Sequence, residues 1–110
     1  MKIGHESAES IFHKLNESGK EWAEKNALAN QLEEMKKIIL SRLKSKYPTD
    51  SNANAETKAM ASDEFETHIT GMVEARRQAD SAKVEYESRK AYVELMRSAE
   101  STRRAEMGLR

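Results

Sequence analysis

The residues with the clearest chemical potential in this chain are cations, and they fall into two sets. The first is MKKIILSRLKSKY, where Lys36, Lys37, Arg42, Lys44 and Lys46 stand in a stretch without an acid and Tyr47 closes the run. Ammonium and guanidinium groups at this density can neutralise successive phosphates, and a tyrosine beside them can stack on a base. The second set is a row at every seventh residue: Arg76, Lys83, Lys90, Arg97 and Arg104, with Arg77 and Arg103 beside its ends. A regular row of bases has a plainer origin. Asp80, Glu87 and Glu94 precede Lys83, Lys90 and Arg97 by three residues, giving local pairs worth about 0.2–0.5 kcal/mol each on a solvated helix. The middle of the row is thereby neutralised, and Arg76, Arg77, Arg103 and Arg104 are expected to be its uncompensated ends. For the first set the helix dipole accounts for Lys44 and Lys46, at about 0.3–1 kcal/mol in a last turn, but not for Lys36 and Lys37. The acid-free run is therefore the stronger candidate for a polyanion.

No other chemistry competes. His5, His13 and His68 are scattered, and the Glu64/His68 pair at i, i+4 offers two ligands where a metal site needs more. There is no G-x-S-x-G and no H-E-x-x-H, the four glycines are dispersed, and there is no cysteine. The sequence predicts no catalytic residues, no metal, no cofactor and no enzymatic activity.

The elements that must carry these cations are helical. The chain has 110 residues, of which 37% are apolar and 35% charged, with one proline; this suits an all-α, coiled-coil-like protein better than a compact globule. Net charge is zero but segregated. Residues 35–49 hold five bases and no acid, whereas residues 50–74 hold one base and six acids. The N-terminus lacks an apolar signal core and no stretch is long enough to span a bilayer, so the expectation is a cytoplasmic protein with no membrane partner.

A first helix is predicted over about residues 6–46, interrupted or weakened at Gly19, and the sequence leaves open whether residues 6–18 continue it or fold back. Leu28, Leu32, Met35, Ile39 and Leu43 mark one face of it. Pro48 stops it, and a polar loop over about 47–54 follows, with Ser51, Asn52 and Asn54 as candidate caps. The second helix runs over about 55–107, and residues 55–62 read either as a separate short turn or as its first turns. In SDEFE, Asp63 with Glu66 reads as a capping box. From Phe65 an unbroken heptad puts Phe65, Met72, Ala79, Tyr86, Val93, Glu100 and Met107 at position a, and His68, Ala75, Ala82, Arg89, Met96 and Arg103 at position d. The alanines would admit a partner helix closely, and Arg89, Glu100 and Arg103 weaken the seam toward its end. Together these features predict a single helical domain over residues 1–110: a long antiparallel hairpin with a coiled-coil-like seam, covering its remaining apolar face by self-association into a homo-oligomer or by docking on a partner.

The order of parts from about Glu21 to Met107 resembles phage recombination mediators of the UvsY type. The resemblance lies in a Trp-containing helix, the KK-x-x-L-x-R-L stretch ending in tyrosine, a polar loop, and a long alanine-punctuated helix ending in RRAEM. Arg42, Leu43 and Tyr47 match the family's basic segment in kind, while Leu40 and Ser41 stand where the family has a lysine ahead of the arginine. The resemblance implies a single-stranded DNA ligand, a recombinase and a single-strand-binding protein as partners, a homo-oligomer, and a phage or prophage origin in the host cytoplasm. The other reading of the same residues is a structural or adaptor coiled coil that binds only protein.

Overall fold

The computed structural model describes residues 6–108, so His5 and Arg110 lie outside the described residues. They form three helices, α1 (Ala8–Lys44), α2 (Asn52–Met60) and α3 (Asp63–Gly108), and no strand occurs among them. No helix among the described residues is long and apolar enough to cross a membrane. Contacts group the chain into two compact units. One is Met1–Ala23 with Ser81–Arg110, and the other is Glu24–Asp80. Both long helices contribute to each unit.

The unit Glu24–Asp80 carries two apolar clusters. In one, Leu43, 1% exposed, packs with Ile39, Ala59 and Phe65, and Leu40 and Ile69 close over them. In the other, Ala29 meets Ala75 and Ala79 with Leu32 alongside. The contacts run in opposite chain directions, Ile39 and Leu43 near Phe65 and Ala29 near Ala75 and Ala79, so the α1 and α3 segments are antiparallel here. His68 Nε2 donates across the seam to the Leu32 carbonyl at 2.8 Å. Leu28 and Met35, expected on the inner face, are 51% and 37% exposed. The reason is packing distance: alanine against alanine lets the backbones approach, and the buried face of α1 turns toward Ala29 and away from Leu28.

The connection between the long helices differs from the predicted loop. α1 ends at Lys44, before Pro48, and the chain turns through Lys46 N–H to Leu43 O (3.2 Å), Tyr47 N–H to Lys44 O (3.0 Å) and Asp50 N–H to Tyr47 O (3.2 Å). α2 is a separate helix, begun by Ser51, whose Oγ accepts the Asn54 N–H at 3.2 Å, and it buries Ala55 and Ala59. The cap of α3 is Ser62 and not Asp63. Its Oγ accepts the Phe65 N–H at 3.2 Å and donates to Ala59 O at 2.6 Å, so one hydroxyl serves the end of α2 and the start of α3. A serine that does both displaces the aspartate one residue on.

The other unit is closed by Ile11, Ser18, Ala82 and Val93, with Tyr86 and Met96 half-buried. Gly19 does not break α1, which is continuous through it, so residues 8–18 extend the same helix. The glycine is a notch. A Cβ built there would lie 3.1 Å from Tyr86 Cε1, and the Tyr86 ring stacks on Trp22 with centroids 5.6 Å apart and planes at 22°. Along α3 the a and d positions from Phe65 to Glu100 are buried or half-buried, whereas residues 101–108 are all exposed. Arg89, at a d position, is anchored by Glu85 Oε1 at 2.8 Å.

Candidate nucleic-acid interface

The two sets of cations fare differently once their neighbours are in place. The expected free ends of the heptad row are not free. Arg76 Nε and Nη2 donate to both oxygens of Glu33, at 2.9 and 3.2 Å, while Nη1 and Nη2 reach the side-chain oxygens of Asn26 and Asn30 at 2.9 and 2.6 Å. Arg77 Nε donates to Glu74 at 2.9 Å. Arg103 and Arg104 converge on Glu100 at 2.8 and 3.5 Å. Glu33, Asn26 and Asn30 lie on α1, where no spacing rule along α3 finds them, whereas Glu74 and Glu100 stand three residues before Arg77 and Arg103 in the sequence itself.

These pairings show in the acid–base character of the partners. Hydrogen bonds from Arg77, then from Gln78, hold the Glu74 carboxyl down at about 2. The Arg76 hydrogen bond lowers Glu33 below the ordinary 4.5, and Glu33 in turn raises Arg76. In the middle of the row, Lys83 lies 4.0 Å from Glu87 at i+4, instead of pairing with Asp80, and sits over the Trp22 ring at 6.0 Å. Arg97 lies over the Phe12 ring at 5.6 Å.

The acid-free run is built otherwise. Lys36, Lys37 and Arg42 are exposed and Lys44 half-buried, and none of the four makes an ion pair among the described residues. They do not share a face. Lys37 and Lys44, seven residues apart, lie on one flank of α1, whereas Arg42 is about 140° round from Lys37 and about 160° from Lys44 at 100° per residue. Lys46, just past the helix, holds Glu64 at 3.0 Å, with both side chains more than half exposed; a pair so open to water is weak and readily exchanged.

Tyr47 is half-buried and already has a cation on its ring. Lys58 Nζ lies 5.1 Å from the ring centroid and donates to Asp50 Oδ2 at 2.6 Å, and that hydrogen bond raises the Lys58 pKa. Lys58 belongs to α2 and escaped the sequence reading, because only the fold-back through Pro48 brings it to Tyr47. Among the described residues no three His, Asp or Glu side chains gather as a metal site. An apolar cavity of about 420 Å³ is lined by Ile11, Phe12, Val93 and Met96 together with Arg97, Glu100, Ser101 and Arg104. What the arrangement can do is electrostatic: Lys36, Lys37 and Lys44 can meet phosphates, with Lys46 and Lys58 close by in sequence and in fold. Comparison of the chain with protein-family models, with curated proteins and with solved structures returned no match.

Proposed function

We propose that this protein is a non-enzymatic accessory of DNA recombination that binds single-stranded DNA and assists recombinase loading in a phage or prophage system. In this reading the chain is an antiparallel helical hairpin with a coiled-coil-like seam, forms a homo-oligomer in the host cytoplasm, and meets a recombinase and a single-strand-binding protein. The observation that carries it is the stretch from Lys36 to Lys44, whose four cations have no acid among them and make no ion pair among the described residues, while Arg76, Arg77, Arg103 and Arg104 are all engaged. Cations without partners are the ones whose counterions a phosphate backbone can release. Lys36, Lys37 and Lys44 take the leading role, Lys46 and Tyr47 a secondary one, and the paired arginines are withdrawn from it.

The test is fluorescence anisotropy of a labelled oligothymidylate at two salt concentrations. Binding at low salt, weakened steeply by salt and lost in a Lys36→Glu/Lys37→Glu/Lys44→Glu variant that keeps its helix content, is the expected result. Absence of binding at low salt overturns the reading in favour of a structural or adaptor coiled coil that binds only protein. The observation favouring that second reading is the exposed apolar stripe Leu28, Met35 and Ile38 on α1.

A further inference from the structure

Within the unit Glu24–Asp80, α1 presents a second heptad stripe that the described residues leave exposed. Reading along the helix, it consists of Glu24, Leu28, Gln31, Met35, Ile38 and Arg42, spaced four, three, four, three and four. Leu28, Met35 and Ile38 are 51%, 37% and 65% exposed. The stripe lies about 100° round α1 from the face of Ala29, Leu32, Ile39 and Leu43 that packs inward, so a neighbour can occupy it without disturbing that core. A spacing of four and three sustained over about 27 Å of helix is what a coiled-coil partner reads.

We infer that this stripe is the seam of an antiparallel homodimer, occupied by the same stripe of a second copy. The stripe is complementary to itself only in that direction. With the two-fold axis at the level of Glu33, Leu28 of one copy faces Ile38 of the other, Gln31 faces Met35, and Glu24 faces Arg42, twice over. Every layer then joins an a position to a d position, as antiparallel coiled coils require. The parallel arrangement sets Glu24 against Glu24 and Arg42 against Arg42, and is disfavoured at both ends. Neither Glu24 nor Arg42 makes an ion pair among the described residues, so each is available to the other copy. An isologous contact of this kind closes on itself and stops at two chains.

This gives the self-association in the proposed function a face and a register, and it reassigns one residue. Arg42 leaves the DNA-facing set for the seam, while Lys37 and Lys44, on the far flank of α1, remain open. The two ideas fail separately, because the dimer is tested without nucleic acid.

Sedimentation velocity of the full chain over a concentration series is expected to show a reversible monomer–dimer equilibrium. Arg42→Glu weakens it at least tenfold, and the exchange Glu24→Arg/Arg42→Glu restores it to within about threefold, since the swapped charges still face one another. Ile38→Gln weakens dimerisation as well and leaves the helix content unchanged. A monomer at 100 µM overturns the proposal. So does a dimer that is indifferent to both Arg42→Glu and Ile38→Gln, or one that Glu24→Arg/Arg42→Glu fails to restore.

Discussion

Replacing Gly19 by alanine puts the packing argument to a quantitative trial, with Gly71 as its internal control. Both glycines sit inside helices, where alanine is better by about 1 kcal/mol, partly because it removes freedom from the unfolded chain. At Gly71 a new Cβ meets nothing within 4 Å, so Gly71→Ala should realise the whole gain, a rise in melting temperature of about 4–8 °C for a domain of this size. At Gly19 the same Cβ stands 3.1 Å from Tyr86 Cε1 and 3.3 Å from Cδ1, inside ordinary van der Waals contact. The ring must retreat by a few tenths of an ångström, and Trp22 stacked against it resists the movement. Overpacking of this kind costs about 1–3 kcal/mol, which cancels or exceeds the helix-propensity gain. Gly19→Ala is therefore expected between neutral and about 2 kcal/mol destabilising, at least about 1 kcal/mol behind Gly71→Ala. Urea denaturation followed by circular dichroism, at one fixed protein concentration, measures both. In a Tyr86→Leu background the obstacle is gone and Gly19→Ala should recover its gain of about 1 kcal/mol. If Gly19→Ala alone stabilises as much as Gly71→Ala, the ring yields freely and the notch argument is wrong.

Three further outcomes are expected. Leu43→Ala, at the one large side chain fully buried among the described residues, should cost about 2–5 kcal/mol in the same urea experiment, and Ala79→Leu about 1–3 kcal/mol because its contact with Ala29 has no room to grow; equal, small effects would contradict the packing described. Acid should destabilise the chain by a route with a definite sign. Glu33 and Glu74 have lower pKa values folded than the ordinary 4.5, so their contribution is complete above that pH and is lost as pH falls through the folded values, for Glu74 at about 2. Melting temperatures between about pH 5 and about pH 2 should fall more gently in Arg76→Ala and Arg77→Ala than in the unaltered chain, and parallel curves would refute the linkage.

The long period of α3 was the most legible part of the fold, since a heptad records which positions face a neighbour. Phe65, Ala75, Ala79, Ala82 and Val93 are buried and lie on that pattern. Choosing the inner face of α1 was harder. Hydropathy favours Leu28, but the closeness of two alanine-lined backbones selects Ala29, and side-chain hydrophobicity does not encode backbone proximity. Gly19 illustrates the same gap: its local cost as a helix residue is readable, whereas the Tyr86 ring that it admits is 67 residues away in the chain. At the candidate site the acid-free run was visible at once, because the absence of acids is a property of sequence. The engagement of Arg76 was not, because Glu33 comes from another helix and the asparagines beside it carry no charge to count.

His68 closes a different kind of question. A backbone carbonyl can only accept, so the Nε2 that reaches Leu32 O must hold a proton, whether the ring is neutral or cationic. The same constraint makes the Hε2 resonance of His68 a native spectroscopic reporter, visible in proton NMR while α1 and α3 stay paired at this level and exchanged away once they part.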